Sequence, residues 1–171
     1  MTVDLGKIGL GGGCHWCTEA VFQSLRGVHE VRSGWISSEG ENSTESEGVL
    51  VHFDPEQINS GTLIEIHLLT HASTSNHSMR RKYRSAVYVF SERQAEQARS
   101  ILQALAKRHG KPHITQVLRF TAFRSVSEAY KNYYYTAPDR PFCVNMIEPK
   151  LKKLVATHGE YFAKTHLGKE R

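Results

Sequence analysis

Cysteine is scarce in this chain of 171 residues: there are three, Cys14, Cys17 and Cys143, unevenly spaced. That is too few for a disulfide-stapled scaffold, and at this length a core buries roughly two-thirds of the unfolded surface without staple or metal. Long apolar runs are missing too. No stretch approaches the ~18 apolar residues of a membrane span. Residues 1–14 lack the charged start and long apolar segment of a signal peptide. Repeats, low-complexity tracts and linkers are absent, so the expectation is one domain over residues 1–171, cytoplasmic and monomeric, with no membrane partner. In a reducing compartment, cysteines are metal ligands, reactive groups or core residues more often than standing disulfides.

Negative charge is in deficit: the formal net charge is +5. The positive side chains are scattered, apart from Arg80, Arg81, Lys82 and Arg84 and a looser group at Lys150, Lys152 and Lys153. No nucleic-acid-binding motif accompanies them, so no nucleic-acid partner is expected.

The hydrophobic pattern alternates between two periods. Residues 7–11 form a short run before three glycines and Cys14. Ala20, Val21, Phe22 and Leu25 have helical spacing over 16–25. Residues 28–36 and 48–53 read as strands, with a polar loop over 37–47. Leu63, Ile64, Ile66, Leu68 and Leu69 predict a mostly buried helix over 60–70, and 86–90 a strand. Ser91 followed by Gln94 is a capping-box pattern opening a helix that Gly110 and Pro112 stop. Residues 114–120 read as a strand, and Leu151, Leu154 and Val155 as a terminal helix. Strands and helices interleave without strict alternation. The fold class expected is α+β, a two-layer α/β sandwich with a ferredoxin-like core (strand, helix, two strands, helix, strand) and additional C-terminal segments.

The most informative stretch is Gly11-Gly12-Gly13-Cys14-His15-Trp16-Cys17-Thr18-Glu19. A cysteine that follows a glycine turn and opens a helix meets free backbone N–H groups and the positive end of the helix dipole, which favour thiolate over thiol. Cys17, one turn on, is placed to attack an oxidised Cys14. Other readings stay open on these residues alone. Cys14 can be a small core residue at a tight turn. Cys14 and Cys17 can be a zinc half-site completed by His29 or His52, or a thioredoxin-like dithiol. A phosphate loop is weaker, because no Lys-Ser/Thr or G-x-G-x-x-G pattern follows.

Motifs along the chain reach further. Gly-Cys-His-Trp followed by Glu19 resembles the Gly-Cys-Phe-Trp-Gly-x-Glu signature of the A-type peptide methionine sulfoxide reductases. Leu25-Arg26-Gly27-Val28, Gly34-Trp35, Glu47 ahead of 49–55, Tyr83-Arg84-Ser85-Ala86-Val87-Tyr88, Glu128-x-Tyr130 and Pro141-Phe142-Cys143 through Ile147-x-Pro149-Lys150 are similar to that family's later motifs in the same order. The resemblance covers about residues 7–155. It implies that Cys14 attacks the sulfur of methionine S-sulfoxide, free or in peptides. It also implies that Glu47, kept protonated by burial, gives the departing oxygen a proton and that Tyr83 donates a hydrogen bond to it. Trp16 and His15 would hold the S-methyl group. A second thiol would condense with the Cys14 sulfenic acid, and a thioredoxin-type dithiol would reset the enzyme. Cys143 matches the position that often resolves in related enzymes, so a Cys14–Cys143 bridge is expected, with Cys17 as the other candidate. No cofactor or metal is expected.

Four departures from the pattern stand out. His15 occupies the phenylalanine position and Cys17 the usual glycine. Residues 37–46 lack an Asn-Pro-Thr-Tyr segment. Asn76-His77-Ser78-Met79 stands where a Gly-Asn-Asp loop is usual.

Overall fold

Residues 4–162 are described in the computed structural model of the chain, and side-chain alternation builds its sheet. Strands β1 (Gly6–Gly11), β2 (Val28–Ser37), β3 (Ser46–Phe53) and β4 (Ala86–Val89) form its centre. Ile8, Leu10, Val49, Val51, Val87 and Val89 join one core, while Ile36, Leu50, Ala86 and Tyr88 form a second, smaller cluster. In β3 and β4 the two sets alternate residue by residue, as a sheet with both faces covered requires. With β5 (Gln116–Arg119) and β6 (Ala122–Ser125) the sheet has six strands in the order β5-β4-β1-β3-β2-β6. All neighbours are antiparallel except β4 and β5.

Five helices complete the α+β fold: α1 (His15–Gln23), α2 (Ser60–Leu69), α3 (Glu92–His109), α4 (Tyr133–Thr136) and α5 (Glu148–His158). Phe22 of α1, Leu63, Ile64 and Ile66 of α2, and Leu154 of α5 are almost completely buried in the main core. Each such side chain contributes about 1.5–3 kcal/mol. Local chemistry sets the helix ends. The Asn59 side chain accepts from Thr62 N at 2.8 Å and starts α2. Ser91 Oγ accepts from Gln94 N at 3.1 Å. The other half of the expected capping box is altered: Gln94 Oε1 accepts from Phe90 N, one residue before the cap, and its amide donates to Lys7 O. Gly110, at φ +70°, closes α3 in a left-handed conformation that costs glycine little. Pro149 sits in the first turn of α5, where its missing N–H has no helical partner to lose.

The structure departs from the sequence expectation in four places. The strand expected over 114–120 is confined to Gln116–Arg119. Edge strand β6 was not anticipated. Strand β3 begins at Ser46, so Glu47 lies inside a strand and not ahead of one. Cys143, which the sequence places in a loop-like segment after Pro138 and Pro141, lies in a π-helical turn, Cys143–Ile147, that leads into α5. No helix among the described residues is long and apolar enough to cross a membrane.

Candidate active site

Strand β1 ends at Gly11, which faces Gly48 on β3 and Ala86 on β4. The chain then turns past His71, whose ring would collide with a Cβ on Gly12. Only glycine lets this backbone lie so close to the histidine. Cys14 is the residue that caps α1; its carbonyl accepts from Cys17 N at 3.1 Å and Thr18 N at 3.2 Å. The thiol of Cys17 donates to the Cys14 sulfur, and this bond, helped by the N–H groups of Trp16 and Cys17, pulls Cys14 below the ordinary thiol range. Partial burial and the Glu47 charge pull the other way and lose. The same bond and its own burial push Cys17 far up, so Cys17 is the proton-holding partner.

Cys143 is fully buried in the same hydrophobic core as Cys17. Cys14 and Cys17 are free thiols. The fold therefore gathers Cys14, Cys17 and Cys143 into one cluster. The zinc reading gains no support: His52 pairs with Lys7, near the opposite end of β1 from Cys14. Among the described residues no three His, Cys, Asp or Glu side chains are placed to hold a metal.

Glu47 stands opposite Trp35 on β2 and is 7% exposed. Its Oε1 accepts from His15 N at 3.2 Å and lies 3.5 Å from His15 Nδ1. That ring nitrogen also lies 3.0 Å from Gly34 O. A carbonyl can only accept, so Nδ1 carries the hydrogen. Lys82 Nζ is 3.6 Å from Glu47 Oε2 and 5.1 Å from the Tyr83 ring centroid. The Tyr83 hydroxyl, and then Glu47, raise Lys82 above its ordinary value. Lys82 thus joins the two residues expected to serve the departing oxygen. It had been counted only as part of a basic cluster.

Two of that cluster's four side chains are engaged inside the protein. Arg80 donates to Gly12 O at 2.8 Å, to Tyr83 O at 2.9 Å and to Ser75 O at 2.9 Å, and also to Ala72 O. Arg84, 6% exposed, reaches Thr44 O and Tyr88. Arg80 and Arg84 thus tie backbone together, while Arg81 and Lys82 are exposed.

Trp16 stacks on Tyr133, with ring centroids 4.1 Å apart and planes 8° from parallel, and meets Phe142 edge-on. Glu19 fixes this arrangement: buried to 1% exposure, it accepts from Tyr133 N at 3.1 Å, and burial raises its pKa. A cavity of about 630 Å³ opens beside these rings, lined by His15, Trp16, Trp35, Arg124, Val126 and Tyr130 among others. Cys14 and Glu47 do not line it. It adjoins the thiol through His15 and Trp16, the two residues expected to hold the substrate methyl. The roles of Trp35 and Glu19 in this box are legible only through the motifs quoted above, and Tyr133 lies outside those motifs.

Behind the cluster, His67 Nε2 lies 2.7 Å from Gly11 O and is fully buried; burial takes its pKa down to about 4. His71 stacks on it and is also kept neutral by burial. His71 Nδ1 donates to His67 O, so its Nε2 accepts from Ser85 Oγ at 2.8 Å. Lys150 Nζ donates to Thr70 O, just past the end of α2.

Residues 6–162 match the family model described as peptide methionine sulfoxide reductase. A reductase of this name from Deinococcus radiodurans is 33% identical over 165 residues, covering 87% of this chain and 80% of the relative. One from Trichodesmium erythraeum is 34% identical over 166 residues, covering 88% and 94%. Among solved structures, reduced Mxr1 from Saccharomyces cerevisiae aligns with a TM-score of 0.68 at 18% identity, covering 83% of this chain and 92% of that one. Methionine sulfoxide reductase A of Corynebacterium diphtheriae aligns at 0.65 and 22% identity, covering 78% and 76%. These two share the fold. The yeast protein has also been solved in complex with Trx2.

Proposed function

The chain belongs to the peptide methionine sulfoxide reductase family, and from that premise we propose that Cys14 reduces methionine S-sulfoxide, free or in peptides. The observation that carries the proposal is the Cys14 thiol itself: it opens a helix, accepts the Cys17 S–H bond and is held below the ordinary thiol range. A thiolate is the nucleophile that sulfoxide chemistry needs.

The Cys14 thiolate attacks the sulfoxide sulfur. In its protonated form Glu47 supplies a proton to the oxygen and Tyr83 donates a hydrogen bond to it; in the resting site Lys82 Nζ lies 3.6 Å from the Glu47 carboxyl. His15 and Trp16 flank the methyl group. Methionine departs, leaving Cys14 as a sulfenic acid. Cys17, one helical turn from Cys14, condenses with it first, and water leaves. Cys143 can then attack the Cys14 sulfur by thiol–disulfide exchange, releasing Cys17 as a thiol and leaving a Cys14–Cys143 bridge for a thioredoxin-type dithiol to reduce. The expectation of a direct Cys14–Cys143 bridge becomes, on this reading, the second step. The complex of the yeast relative with Trx2 supports the choice of reductant.

We also read β4-β1-β3-β2 with α1 and α2 as a ferredoxin-like two-layer core, to which β5, β6 and the C-terminal helices are additions. The test of function is turnover of dabsyl-methionine sulfoxide, each epimer separately, by wild type and Cys14→Ser with dithiothreitol. Consumption of the S-epimer alone, abolished by the substitution, is expected. Turnover of neither epimer refutes the proposal.

A further inference from the structure

Glu47 has two carboxyl oxygens, and the fold treats them differently. Oε1 accepts from His15 N at 3.2 Å and lies 3.5 Å from His15 Nδ1. An oxygen that accepts a backbone N–H serves as the carbonyl oxygen of the protonated acid, so the acidic proton belongs on Oε2. Lys82 Nζ stands 3.6 Å from that second oxygen. Among the described residues Lys82 is the one lysine or arginine in ion-pair contact with this carboxyl. A substrate oxygen that takes the proton from Oε2 therefore comes within reach of the lysine ammonium.

The root of Lys82 is fixed. Its carbonyl accepts from Glu47 N at 2.9 Å and from Ser46 Oγ at 2.9 Å, which lays residue 82 against the first residues of β3. Its own N–H donates to Met79 O at 3.1 Å. From this anchored backbone a four-carbon stem carries the ammonium to 5.1 Å from the centroid of the Tyr83 ring. The side chain is 56% exposed, against 9% for that of Glu47. One partner is buried and the other meets solvent. Three donors on a rotatable stem let one N–H turn to a second acceptor while another stays with Glu47.

We propose that Lys82 is a further catalytic residue of the sulfoxide step: its ammonium donates a hydrogen bond to the substrate oxygen while that oxygen takes up the charge of the Cys14 thiolate. This rests on the reductase reading above. Thiolate attack forms a bond between the Cys14 sulfur and the substrate sulfur and moves an electron pair onto the oxygen. The proton on Glu47 Oε2 passes to that oxygen, and Lys82 keeps its own. The substrate S–O bond and the bond between the sulfurs then break, the hydroxyl joins the Cys14 sulfur, and one electron pair remains on the methionine sulfur. Cys14 is oxidised to the sulfenic level by the substrate itself, so no other oxidant enters. A neutral sulfoxide oxygen draws weakly on the ammonium, and an oxygen carrying the thiolate's charge draws strongly. The interaction therefore belongs to the transition state and raises the rate of the step more than it tightens binding.

Losing one preorganised donor to a developing oxyanion costs about 100- to 1000-fold in rate. Lys82 is half exposed and water takes over part of its role, so about 10- to 100-fold is expected. The experiment follows N-acetyl-methionine released from its S-sulfoxide in the first turnover, by rapid quench without reductant, over a range of sulfoxide concentrations. Wild type, Lys82→Leu and Lys82→Arg are compared. Alkylation of Cys14 by iodoacetamide is measured on the same proteins, since it needs the thiolate but has no sulfoxide oxygen. Lys82→Leu is expected to lower the limiting rate about 10- to 100-fold, with the half-saturating concentration within about threefold of wild type and alkylation within about twofold. Lys82→Arg keeps a cationic donor and is expected to stay within about fivefold of wild type. A limiting rate for Lys82→Leu within about twofold of wild type overturns the proposal. So does a fall matched by equal slowing of alkylation, which places the lysine's effect on Cys14 and not on the oxygen. So does an arginine variant no faster than the leucine variant. Those outcomes leave the reductase reading standing. Failure of wild type to release methionine refutes that reading and this proposal with it.

Discussion

Replacing Cys17 with alanine separates its two roles, because the bond it donates to Cys14 acts before any oxidation occurs. This bond is the largest of the influences that lower Cys14. A hydrogen bond to a charged group is worth about 1.5–3 kcal/mol, which corresponds to about 10- to 150-fold in the ratio of thiolate to thiol. Cys14 is partly exposed, and water replaces some of what is lost, so the lower end applies. Cys17→Ala is therefore expected to slow alkylation of Cys14 by iodoacetamide at pH 6 by about tenfold. Cys17→Ser keeps a hydroxyl donor at the same place and is expected to recover much of the rate. Wild-type Cys17 is 4% exposed, and Cys143 is fully buried, so the label reports Cys14 in all three proteins. Equal alkylation rates at pH 6 in wild type and Cys17→Ala would refute the view that Cys17 activates the nucleophile. A serine variant no faster than the alanine variant would show that the sulfur, and not the donor, matters.

Three further outcomes test other parts of the site. Glu47→Gln keeps the carbonyl that accepts from His15 N but holds no acid proton. It is expected to slow methionine release by about 100- to 10,000-fold, and a loss under about tenfold would remove Glu47 from the proton path. His67 accepts a proton only near pH 4 in the fold, against ~6.5 in the unfolded chain. The unfolded state thus binds more protons between those values, so stability rises with pH across the window and is lost as pH falls through it. That loss amounts to about 2 kcal/mol between pH 7 and pH 5. Urea unfolding of His67→Gln at both pH values is expected to show a pH dependence smaller by that amount; an unchanged dependence would contradict the buried, neutral state. Glu19→Ala leaves the buried Tyr133 N–H without its acceptor and unties the segment that stacks on Trp16. It is expected to cost about 1–3 kcal/mol and to alter tryptophan fluorescence, whereas a native-like spectrum and urea midpoint would show the stack to be self-supporting.

What the sequence determined by itself is what depends on neighbours within about four residues. The periodicity of 20–25 and 63–69, the Ser91 cap and the Gly110 stop placed α1, α2 and α3 closely, because caps and side-chain faces are local. The glycine turn into Cys14 marked the candidate nucleophile for the same reason, since the N–H groups of the next turn are among the local influences that lower its thiol. Only the tertiary structure decided the rest. Strand β6 has four residues with no strong pattern of their own, and exists by pairing with Gly34–Ser37 some ninety positions earlier. Arg80, Lys82 and Arg84 read as one basic cluster, yet the fold turns them to backbone carbonyls, a carboxylate and a buried tyrosine. Cys143 lies more than 120 residues from Cys17, and nothing in its local spacing says that the two share one core. Charges and thiols act through space, at distances set by how strands and helices pack, and no window along the chain contains that information.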